Sequence, residues 1–246
     1  MYDFNGRALV MTGANGGISR AIAVEFHACG ANMVLTDLNE QALRDFAREL
    51  DPSGERIAVA KVDVTQSAEA DAAARLCNER FGGIDFLVTS AGHFPKSPTR
   101  DMTDEEWHRI IAINLDGTFY ISRAVMPYLR EGSAMVHVAS LAGHAGVIWH
   151  SHYGAAKGGV LAFARSLAKE LAPRTRVNCV SPGIIDTPMV RAIMESDGDT
   201  WLANTLLKRM GEPREVATVV SFLCSDGAGF LTGETIHING GLYIAS

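Results

Sequence analysis

The sequence predicts a single α/β domain, built on a doubly wound parallel sheet of about seven strands with helices on both faces. Short apolar segments alternate with longer segments of helical periodicity, an alternation typical of parallel strands joined by right-handed helical crossovers. The apolar segments are almost continuous in hydrophobic residues, as strands buried on both faces are. No Pro-, Gly- or Ser-rich linker interrupts the chain, so we expect one domain over residues 1–246.

The predicted strands and helices alternate along the chain. In chain order, the strand segments are RALVMT, ANMVLTD, RIAVAKVD, IDFLVTS, AMVHVAS, TRVNCVS and GETIHING. The helix after the first strand carries Ile18, Ile22 and Phe26 on one face, and Gly30 ends it. Further helices are predicted near residues 39–50, 66–81, 104–130, 153–171 and 213–225.

The charge balance and the apolar segments exclude two classes of protein. Lys and Arg number 22 against 28 Asp and Glu, which disfavours a phosphate backbone as partner, so we expect no binding to nucleic acid. Residues 132–156 contain no Asp, Glu, Lys or Arg. His, Ser and Gly are nevertheless too frequent there for a membrane span, so we expect no membrane association.

The cysteines indicate a reducing environment. They lie far apart and form no CxxC pair: Cys29, Cys77, Cys179 and Cys224. This spacing is typical of reduced, buried thiols rather than of a disulfide framework or a metal site. We therefore expect a cytoplasmic protein.

A glycine-rich turn, TGANGGIS, follows the first predicted strand and leads into an amphipathic helix. Glycines in such a turn let the backbone approach a pyrophosphate, whose charge is stabilised by free N–H groups at the helix N-terminus. The residues of the turn expected to contact a dinucleotide are Gly13, Asn15, Gly16, Gly17 and Ile18. The pattern indicates a Rossmann-like dinucleotide site.

Asp37, at the end of the second predicted strand, indicates which dinucleotide binds. A carboxylate there can accept hydrogen bonds from both ribose hydroxyls and repels a 2′-phosphate, so Asp37 with the adjacent Leu38 favours NAD over NADP. The alternative is that Asp37 caps the next helix, because Asp is a common N-cap residue.

The segment HVASLAGHAGVIWHSHYGAAKGG, residues 137–159, follows the fifth predicted strand and carries four histidines. Tyr153 and Lys157 are four residues apart, so they share one face of the predicted helix. A phenol titrates near ~10, and a neighbouring ammonium lowers that pKa, so Tyr153 is a candidate proton donor and acceptor. A metal site is less favoured, because no Asp, Glu or Cys accompanies His144, His150 and His152.

Several motifs in order resemble those of the short-chain dehydrogenase/reductase family: TGANGGIS, TSAG, IAIN, a serine thirteen residues before YGAAK, and NCVSPGIIDT. The resemblance spans nearly the whole chain and implies hydride transfer between a nicotinamide and a carbonyl or secondary alcohol. It also implies a catalytic tetrad. Tyr153 would be the general acid/base, Ser140 would bind the substrate oxygen, Lys157 would hold the ribose, and Asn114 would anchor a water. Asn114 has an alternative role, the satisfaction of backbone groups.

The resemblance also implies the remaining cofactor contacts. These are Asp63 and Val64 at the adenine, Ala91 and Gly92 after the fourth strand, Tyr153 and Lys157 themselves, and Pro182, Gly183, Ile185 and Thr187 on the nicotinamide side. The sequence departs from the family pattern at two places. Ser19 replaces a third glycine, and Thr89-Ser90 replaces a pair of asparagines. We expect the first departure to loosen either the packing of the helix on the strand or the fit of the pyrophosphate, and the second to remove contacts between strands.

The segments around the predicted site indicate the substrate. His144, Trp149 and His150 are expected to line the substrate crevice, whereas His152 is expected at the surface where the helix begins. The tryptophan favours an apolar or ring-bearing substrate. Residues 188–210 are rich in Met and Leu without a strand period, which favours a helical lid, with a core-capping helix pair as the alternative.

Three further expectations concern function and assembly. The C-terminal motifs resemble those of 3-oxoacyl-acyl-carrier-protein reductases, which commonly use NADPH, so that activity is the alternative to a general NAD-dependent alcohol dehydrogenase or ketone reductase. Family resemblance implies a homotetramer formed through the long helices and the C-terminal strand. A dinucleotide-binding regulator without catalysis is the alternative from outside the enzymes.

Overall fold

The computed structural model describes residues 2–188, 190–191 and 202–245. Its centre is a seven-stranded parallel sheet in the order β3-β2-β1-β4-β5-β6-β7. The chain order reverses between β1 and β4, so the carboxyl ends of these two strands form a crevice at the point where ligands bind in open α/β sheets. The predicted fold class is confirmed.

The strands have the following bounds: β1 Ala8–Thr12, β2 Asn32–Asp37, β3 Ile57–Lys61, β4 Ile84–Thr89, β5 Leu129–Val138, β6 Thr175–Pro182 and β7 Thr235–Ile238. Each lies on one of the predicted strand segments, although β5 begins earlier than predicted. In β1, Leu9 and Met11 pack in one hydrophobic cluster, and Ala8 and Val10 pack in the other. The sheet is therefore buried on both faces, as its continuous hydrophobic strands predict.

The helices have the following bounds: α1 Gly17–Ala28, α2 Glu40–Leu50, α3 Ser67–Phe81, α4 Asp104–Ile111, α5 Gly117–Val125, α6 Ala142–Ala145, α7 Ser151–Leu171 and α8 Pro213–Cys224. Helices α1, α2 and α8 bury apolar residues against one face of the sheet. Helices α3, α5 and α7 cover the other face. All four cysteines are buried and free.

The predicted helix 104–130 is interrupted. A π-helical turn at Ala112–Asp116 separates α4 from α5, and a short 3-10 turn at Met126–Tyr128 leads directly into β5. Pro127 lies in that last turn, where its missing N–H and fixed φ prevent a continuing α-helix. A π turn inside an α-helix is frequently found at functional sites, and this one contains Asn114.

Candidate active site

Two adjoining cavities lie at the carboxyl ends of the strands, with volumes of about 370 Å³ and about 610 Å³. They have Gly16, Ser90, Gly92 and His93 in common, so they form one continuous crevice. The smaller cavity is lined by Asn15, Gly16, Gly17, Ile18, Gly92, Ser140, Tyr153, Lys157, Pro182, Gly183, Ile185 and Thr187, among others. The larger one is lined by Gly13, Gly16, Asp37, Leu38, Asp63, Val64, Ala91 and Gly92, among others. Each residue predicted to contact the cofactor lines one of the two cavities.

The glycine turn provides an open anion site at the start of α1. Gly16 is the N-cap, no side chain caps the helix, and its first turn carries no acidic residue. Gly13 has a φ of +66°, and a Cβ atom there would lie 2.6 Å from the backbone of Ala91. A Cβ atom on Gly17 would lie 3.0 Å from the Thr187 methyl. The turn therefore leaves backbone N–H groups accessible to a pyrophosphate, and these residues fit a dinucleotide.

The carboxylate of Asp37 binds its own chain. One oxygen accepts a hydrogen bond from the Asn15 N–H at 3.0 Å, and the other accepts from the Asn39 N–H at 3.1 Å. The Asn15 side chain donates to the Asn39 carbonyl at 2.9 Å and accepts from Arg20 at 3.1 Å. Asp37 thus joins the glycine turn to the start of α2, where Asn39 is the N-cap.

Ser140 and Tyr153 meet in the smaller cavity. The Ser140 hydroxyl accepts a hydrogen bond from the Ala142 N–H at 3.1 Å, and a side-chain hydrogen bond joins Ser140 to Tyr153. Burial raises the pKa of Tyr153 to about 12, and the bond to Ser140 acts in the opposite direction. The net direction is opposite to the one that the spacing of Tyr153 and Lys157 predicts, so Tyr153 is a phenol at neutral pH.

Lys157 lies one helical turn after Tyr153 and is only 4% exposed. Its Nζ donates to the Val138 carbonyl at 2.8 Å and lies 5.7 Å from the centre of the Tyr153 ring. Burial lowers the pKa of Lys157 to about 8, with a smaller opposing effect from Cys179. The ammonium therefore binds the end of β5 rather than the phenol itself.

Asn114 is fully buried in the π turn. Its Nδ2 donates to the carbonyls of His93 at 3.0 Å and Ile110 at 3.1 Å, and its Oδ1 accepts from the His93 N–H at 3.2 Å. The side chain thus joins the loop after β4 to the helix, as the alternative role for Asn114 predicts. It does not line either cavity.

The two departures from the family pattern contact each other. The Ser19 hydroxyl, on a residue that is 1% exposed, donates to the Ser90 hydroxyl at 2.9 Å. Thr89 pairs with Nδ1 of the buried His137 at 3.0 Å. One bond therefore joins α1 to the residue after β4, and the other joins β4 to β5. Contacts between these elements exist although the residues differ from the family pattern.

The predicted substrate residues are not together. His150 is buried and its ring stacks on Phe94, with centres 3.9 Å apart, and Phe94 in turn packs edge-on against Tyr153 at 4.6 Å. Trp149, which precedes His150 in the chain, is 42% exposed and lines neither cavity. His144 instead pairs with Ser181 at 2.9 Å.

Two histidines differ from expectation for reasons of packing. His144 also packs against His237 and Tyr243, so it joins the catalytic loop to the C-terminal segment. His152 was expected at the surface and is fully buried, where its Nδ1 accepts the Tyr153 N–H at 2.9 Å. In the described part of the chain, no three His, Cys, Asp or Glu residues are grouped as a metal site.

Sequence reasoning missed the residues that follow the fourth strand. His93 lines both cavities, and Phe94 covers Tyr153. Arg109 lines the larger cavity from α4. The position of His93 and Phe94 directly after the Ala91-Gly92 turn was the available signal, because residues after parallel strands face the crevice.

The predicted lid is described in part. Residues 189 and 192–201 of the segment 188–210 lie outside the described residues. Beyond them, Leu206 and Leu207 are largely exposed, and the Leu207 N–H donates to the Gly240 carbonyl at 3.1 Å. Within the described ranges, no helix has the length and hydropathy needed to cross a membrane.

Comparisons with known proteins place this crevice in a family. The family model described as enoyl-(acyl carrier protein) reductase matches residues 13–243. The 3-oxoacyl-[acyl-carrier-protein] reductases FabG of Salmonella typhimurium and Escherichia coli are each 36% identical over 245 residues, which cover 98% of this chain and 99% of the relative.

Two solved structures are similar over nearly the whole fold. A short-chain dehydrogenase/reductase from Brucella melitensis, titled glucose/ribitol dehydrogenase, is 52% identical with a TM-score of 0.97 and 99% coverage of both chains. A variant of actinorhodin polyketide ketoreductase with NADPH is 30% identical with a TM-score of 0.89, covering 96% of this chain and 97% of that one.

The prediction of NAD as the preferred cofactor is wrong. The ketoreductase carries NADPH, and together with the FabG relatives it points to dependence on NADP. The prediction assumed that both oxygens of Asp37 are free for ribose hydroxyls. In the structure each oxygen already accepts one backbone N–H group, so the carboxylate also has the structural role of ordering the glycine turn and is not by itself a signal for NAD.

Fold, crevice and relatives agree on one class of enzyme. The hydroxyls of Ser140 and Tyr153, the ammonium of Lys157 and the glycine turn line a single cavity. The family model covers the crevice from Gly13 onward, and the relatives are aligned over nearly their whole length. The chain therefore belongs to the short-chain dehydrogenase/reductase family and is an oxidoreductase that acts on CH–OH or keto groups.

Proposed function

We propose that this protein is an NADPH-dependent reductase of ketones, able to run in reverse on secondary alcohols. The observation that supports this most directly is the cavity of about 370 Å³, which has Tyr153 and Ser140 on one side and the glycine turn at the start of α1 on the other. The FabG relatives and the NADPH-bearing ketoreductase support the choice of cofactor.

Tyr153 is the general acid of the proposed reaction. Because burial raises its pKa to about 12, the side chain is fully protonated at neutral pH and can donate a proton to the oxygen of a ketone as that oxygen gains charge. The reverse reaction needs the phenolate, which is scarce at neutral pH. At neutral pH Tyr153 is therefore already in the protonated form that ketone reduction requires.

Ser140 and Lys157 orient this proton transfer. The Ser140 hydroxyl, oriented by the Ala142 N–H, binds the substrate oxygen together with Tyr153. Lys157, held by the Val138 carbonyl, carries most of its positive charge at neutral pH because its pKa is about 8. That charge stabilises the phenolate that remains after proton donation. Asn114 acts as a positioning residue, since its side chain holds the backbone at His93.

A bound nicotinamide would supply the hydride. Gly13, Gly16 and Gly17 would hold its pyrophosphate, while Pro182, Gly183, Ile185 and Thr187 line the part of the cavity that would take the nicotinamide. Asp63, Val64 and Leu38 line the cavity for the adenosine. The whole described chain then acts as one dinucleotide-binding domain.

The experiment that tests this proposal compares Tyr153→Phe with the unaltered protein. Loss of the hydroxyl is expected to lower the rate of ketone reduction by at least about a hundredfold, the usual contribution of general acid catalysis. NADPH binding, followed by its fluorescence, should stay within about twofold because the ring is retained. Near-normal turnover by Tyr153→Phe would contradict the role of the phenol, and an absence of NADPH binding to either protein would contradict the reductase itself.

A second candidate is the reduction of 3-oxoacyl thioesters. The FabG relatives favour it, since they are 36% identical over 98% of this chain. It uses the same groups and differs in the substrate alone. Kinetic comparison of a 3-oxoacyl thioester with a simple ketone, at equal NADPH, separates the two: the better substrate has the higher kcat/KM.

We also propose a cytoplasmic homotetramer. Trp107 and Phe119 are 37% and 39% exposed on α4 and α5, and Phe230 is fully exposed just before β7. Large apolar side chains on the long helices and beside the edge strand suit burial against other copies of the chain. Sedimentation velocity of the purified protein tests this, and a monomer at micromolar concentration would contradict it.

A further inference from the structure

The loops after β4 and before α7, which contribute His93 and Ser140 to the crevice, also carry an exposed cation fixed on an aromatic ring. The Nζ of Lys96 lies 4.1 Å above the centre of the Trp149 ring. Lys96 is exposed, and among the residues that the structure describes no carboxylate pairs with it. An exposed lysine side chain normally loses conformational entropy when it binds an anion. Because the indole already holds the Lys96 side chain in place, this entropic cost of binding is smaller.

Trp149 is held in a strained backbone conformation. Its φ is +63°, a region that bulky L-residues avoid. Such strain persists where the surrounding structure imposes it, and it is concentrated at functional sites. Here the Trp149 carbonyl accepts the Ser97 N–H at 2.8 Å.

Two further contacts join the loop after β4 to the loop before α7. Phe94 stacks on His150, with ring centres 3.9 Å apart, and Thr99 pairs with Ser151 at 2.8 Å. Lys96 and Trp149 therefore belong to a rigid wall. That wall reaches the proton donor, because the ring of Phe94 packs against that of Tyr153.

Two cations, Lys96 and Arg109, act on the histidines beside this wall. Burial is the largest cause of the lowered pKa values of His150 and His93. Lys96 contributes a smaller effect in the same direction at His150, and Arg109 does so at His93. The carboxylate of Glu106, which belongs to α4, is occupied by the Thr103 N–H at 2.9 Å and the Ser97 hydroxyl at 3.3 Å.

We propose that Lys96, held over Trp149, selects carbonyl substrates that carry an anionic group, a carboxylate or a phosphate, at the end remote from the carbonyl. The inference rests on the proposed function, since it assumes that the carbonyl binds at Tyr153. The ring of Phe94 links the two groups, because it packs against Tyr153 and stacks on His150, the residue after Trp149, and it offers apolar surface to the intervening part of the substrate.

The test compares three probes of the same shape: para-acetylbenzoate, its neutral methyl ester, and para-acetylphenyl phosphate. In Lys96→Met, KM for the two anionic probes is expected to rise about fivefold, the upper range for an exposed ion pair. Their kcat and both constants for the ester should remain unchanged, because the lost contact is made equally in the ground and transition states. If KM rises for only one of the two anionic probes, the anionic group of that probe, carboxylate or phosphate, is the ligand of Lys96.

Trp149→Gly provides a second variant that keeps the fold. Glycine adopts a positive φ without strain, so the backbone remains while the ring that holds Lys96 is lost. The anionic probes should lose affinity as they do in Lys96→Met, and the double variant should lose little more than either single one. Lys169→Met, which removes an exposed lysine from the last turn of α7, is the matched control and should leave all three probes unaffected.

Binding measured without turnover keeps the two proposals separate. Calorimetric titration of the NADPH-bound protein with para-acetylbenzoate should show about fivefold weaker binding to Lys96→Met, and added salt should reduce that difference. Equal affinity of the two proteins would overturn the anion subsite even if ketones are reduced normally. Conversely, a protein that binds the anion through Lys96 but reduces none of the probes would contradict the proposed reductase and leave the subsite established.

Discussion

Replacement of Lys157 by Met is expected to stabilise the protein at neutral pH while removing its activity. Burial lowers the pKa of Lys157 from the usual 10.5 to about 8, because the side chain is only 4% exposed. Since one pKa unit corresponds to about 1.4 kcal/mol, this difference costs roughly 3 kcal/mol of unfolding free energy at pH 7. Met has a similar shape and no charge to desolvate.

The lost hydrogen bond acts against this gain. The Lys157 ammonium donates to the Val138 carbonyl at 2.8 Å, and that carbonyl has no such donor in the variant. An unpaired buried acceptor costs about 1–2 kcal/mol. The net stabilisation at pH 7 is therefore about 1–2 kcal/mol.

The pH dependence separates the two contributions. The pKa of Lys157 is lower in the folded state than in the unfolded state, so between about pH 8 and 10.5 the unfolded state binds more protons. The cost of the buried charge is complete below pH 8 and disappears as the pH rises toward 10.5. About 2 kcal/mol of it remains at pH 9, so the advantage of the variant should fall by roughly 1 kcal/mol between pH 7 and pH 9.

The assay is urea-induced unfolding of Lys157→Met, of the unaltered protein and of Lys169→Met at pH 7 and pH 9. Burial raises the pKa of Cys179 to about 12, so this thiol stays protonated in the folded state at both values of pH although Lys157 contributes a smaller opposing effect, and the effect of the cysteines cancels in the difference. Lys169 is exposed at the end of α7, and its replacement should change stability by less than about 0.5 kcal/mol at both values of pH. An advantage of Lys157→Met that does not change with pH would refute the assignment of the cost to the buried charge.

Three further predictions follow from the same structure. Gly13→Ala should abolish NADPH binding and should lower the stability of the protein more than Gly54→Ala does. Both glycines have a positive φ, but only at Gly13 would the new Cβ atom meet the backbone, at 2.6 Å. Thermal unfolding compares the stabilities of the two variants. Burial lowers the pKa of His137 to about 4, so the unfolded state binds the extra proton below pH 6.5. Between pH 7 and pH 5 the protein should therefore lose about 2 kcal/mol more stability than His137→Leu, in which the other histidines still titrate, and urea unfolding at both values of pH measures the difference. The rate of ketone reduction should be independent of pH near neutrality and should decline above about pH 8, because Lys157 then loses its proton. The rate of alcohol oxidation should rise with pH, because the Tyr153 phenolate then forms. A rate of ketone reduction that increases above pH 8 would count against these roles.

The fold and the composition of the crevice follow from local patterns in the sequence. Continuous apolar segments determine buried parallel strands, and the glycine turn at Gly13 opens a helix in which Ile22 and Phe26 face the sheet. Tyr153 and Lys157 share a helical face because they are four residues apart. The family motifs then identify residues distant in the chain that line the same two cavities.

Only the tertiary structure decided how those residues are used. The oxygens of Asp37 are occupied by backbone N–H groups, Ser19 pairs with Ser90, and the pKa of Tyr153 is raised rather than lowered. Periodicity and motifs specify which residues lie at the end of a strand or on the face of a helix. Partners and burial depend on segments distant in the chain, such as the loop at Lys96 that meets Trp149. Since hydrogen bonding and desolvation set both the charge and the orientation of a polar group, these properties exist only once the chain is packed.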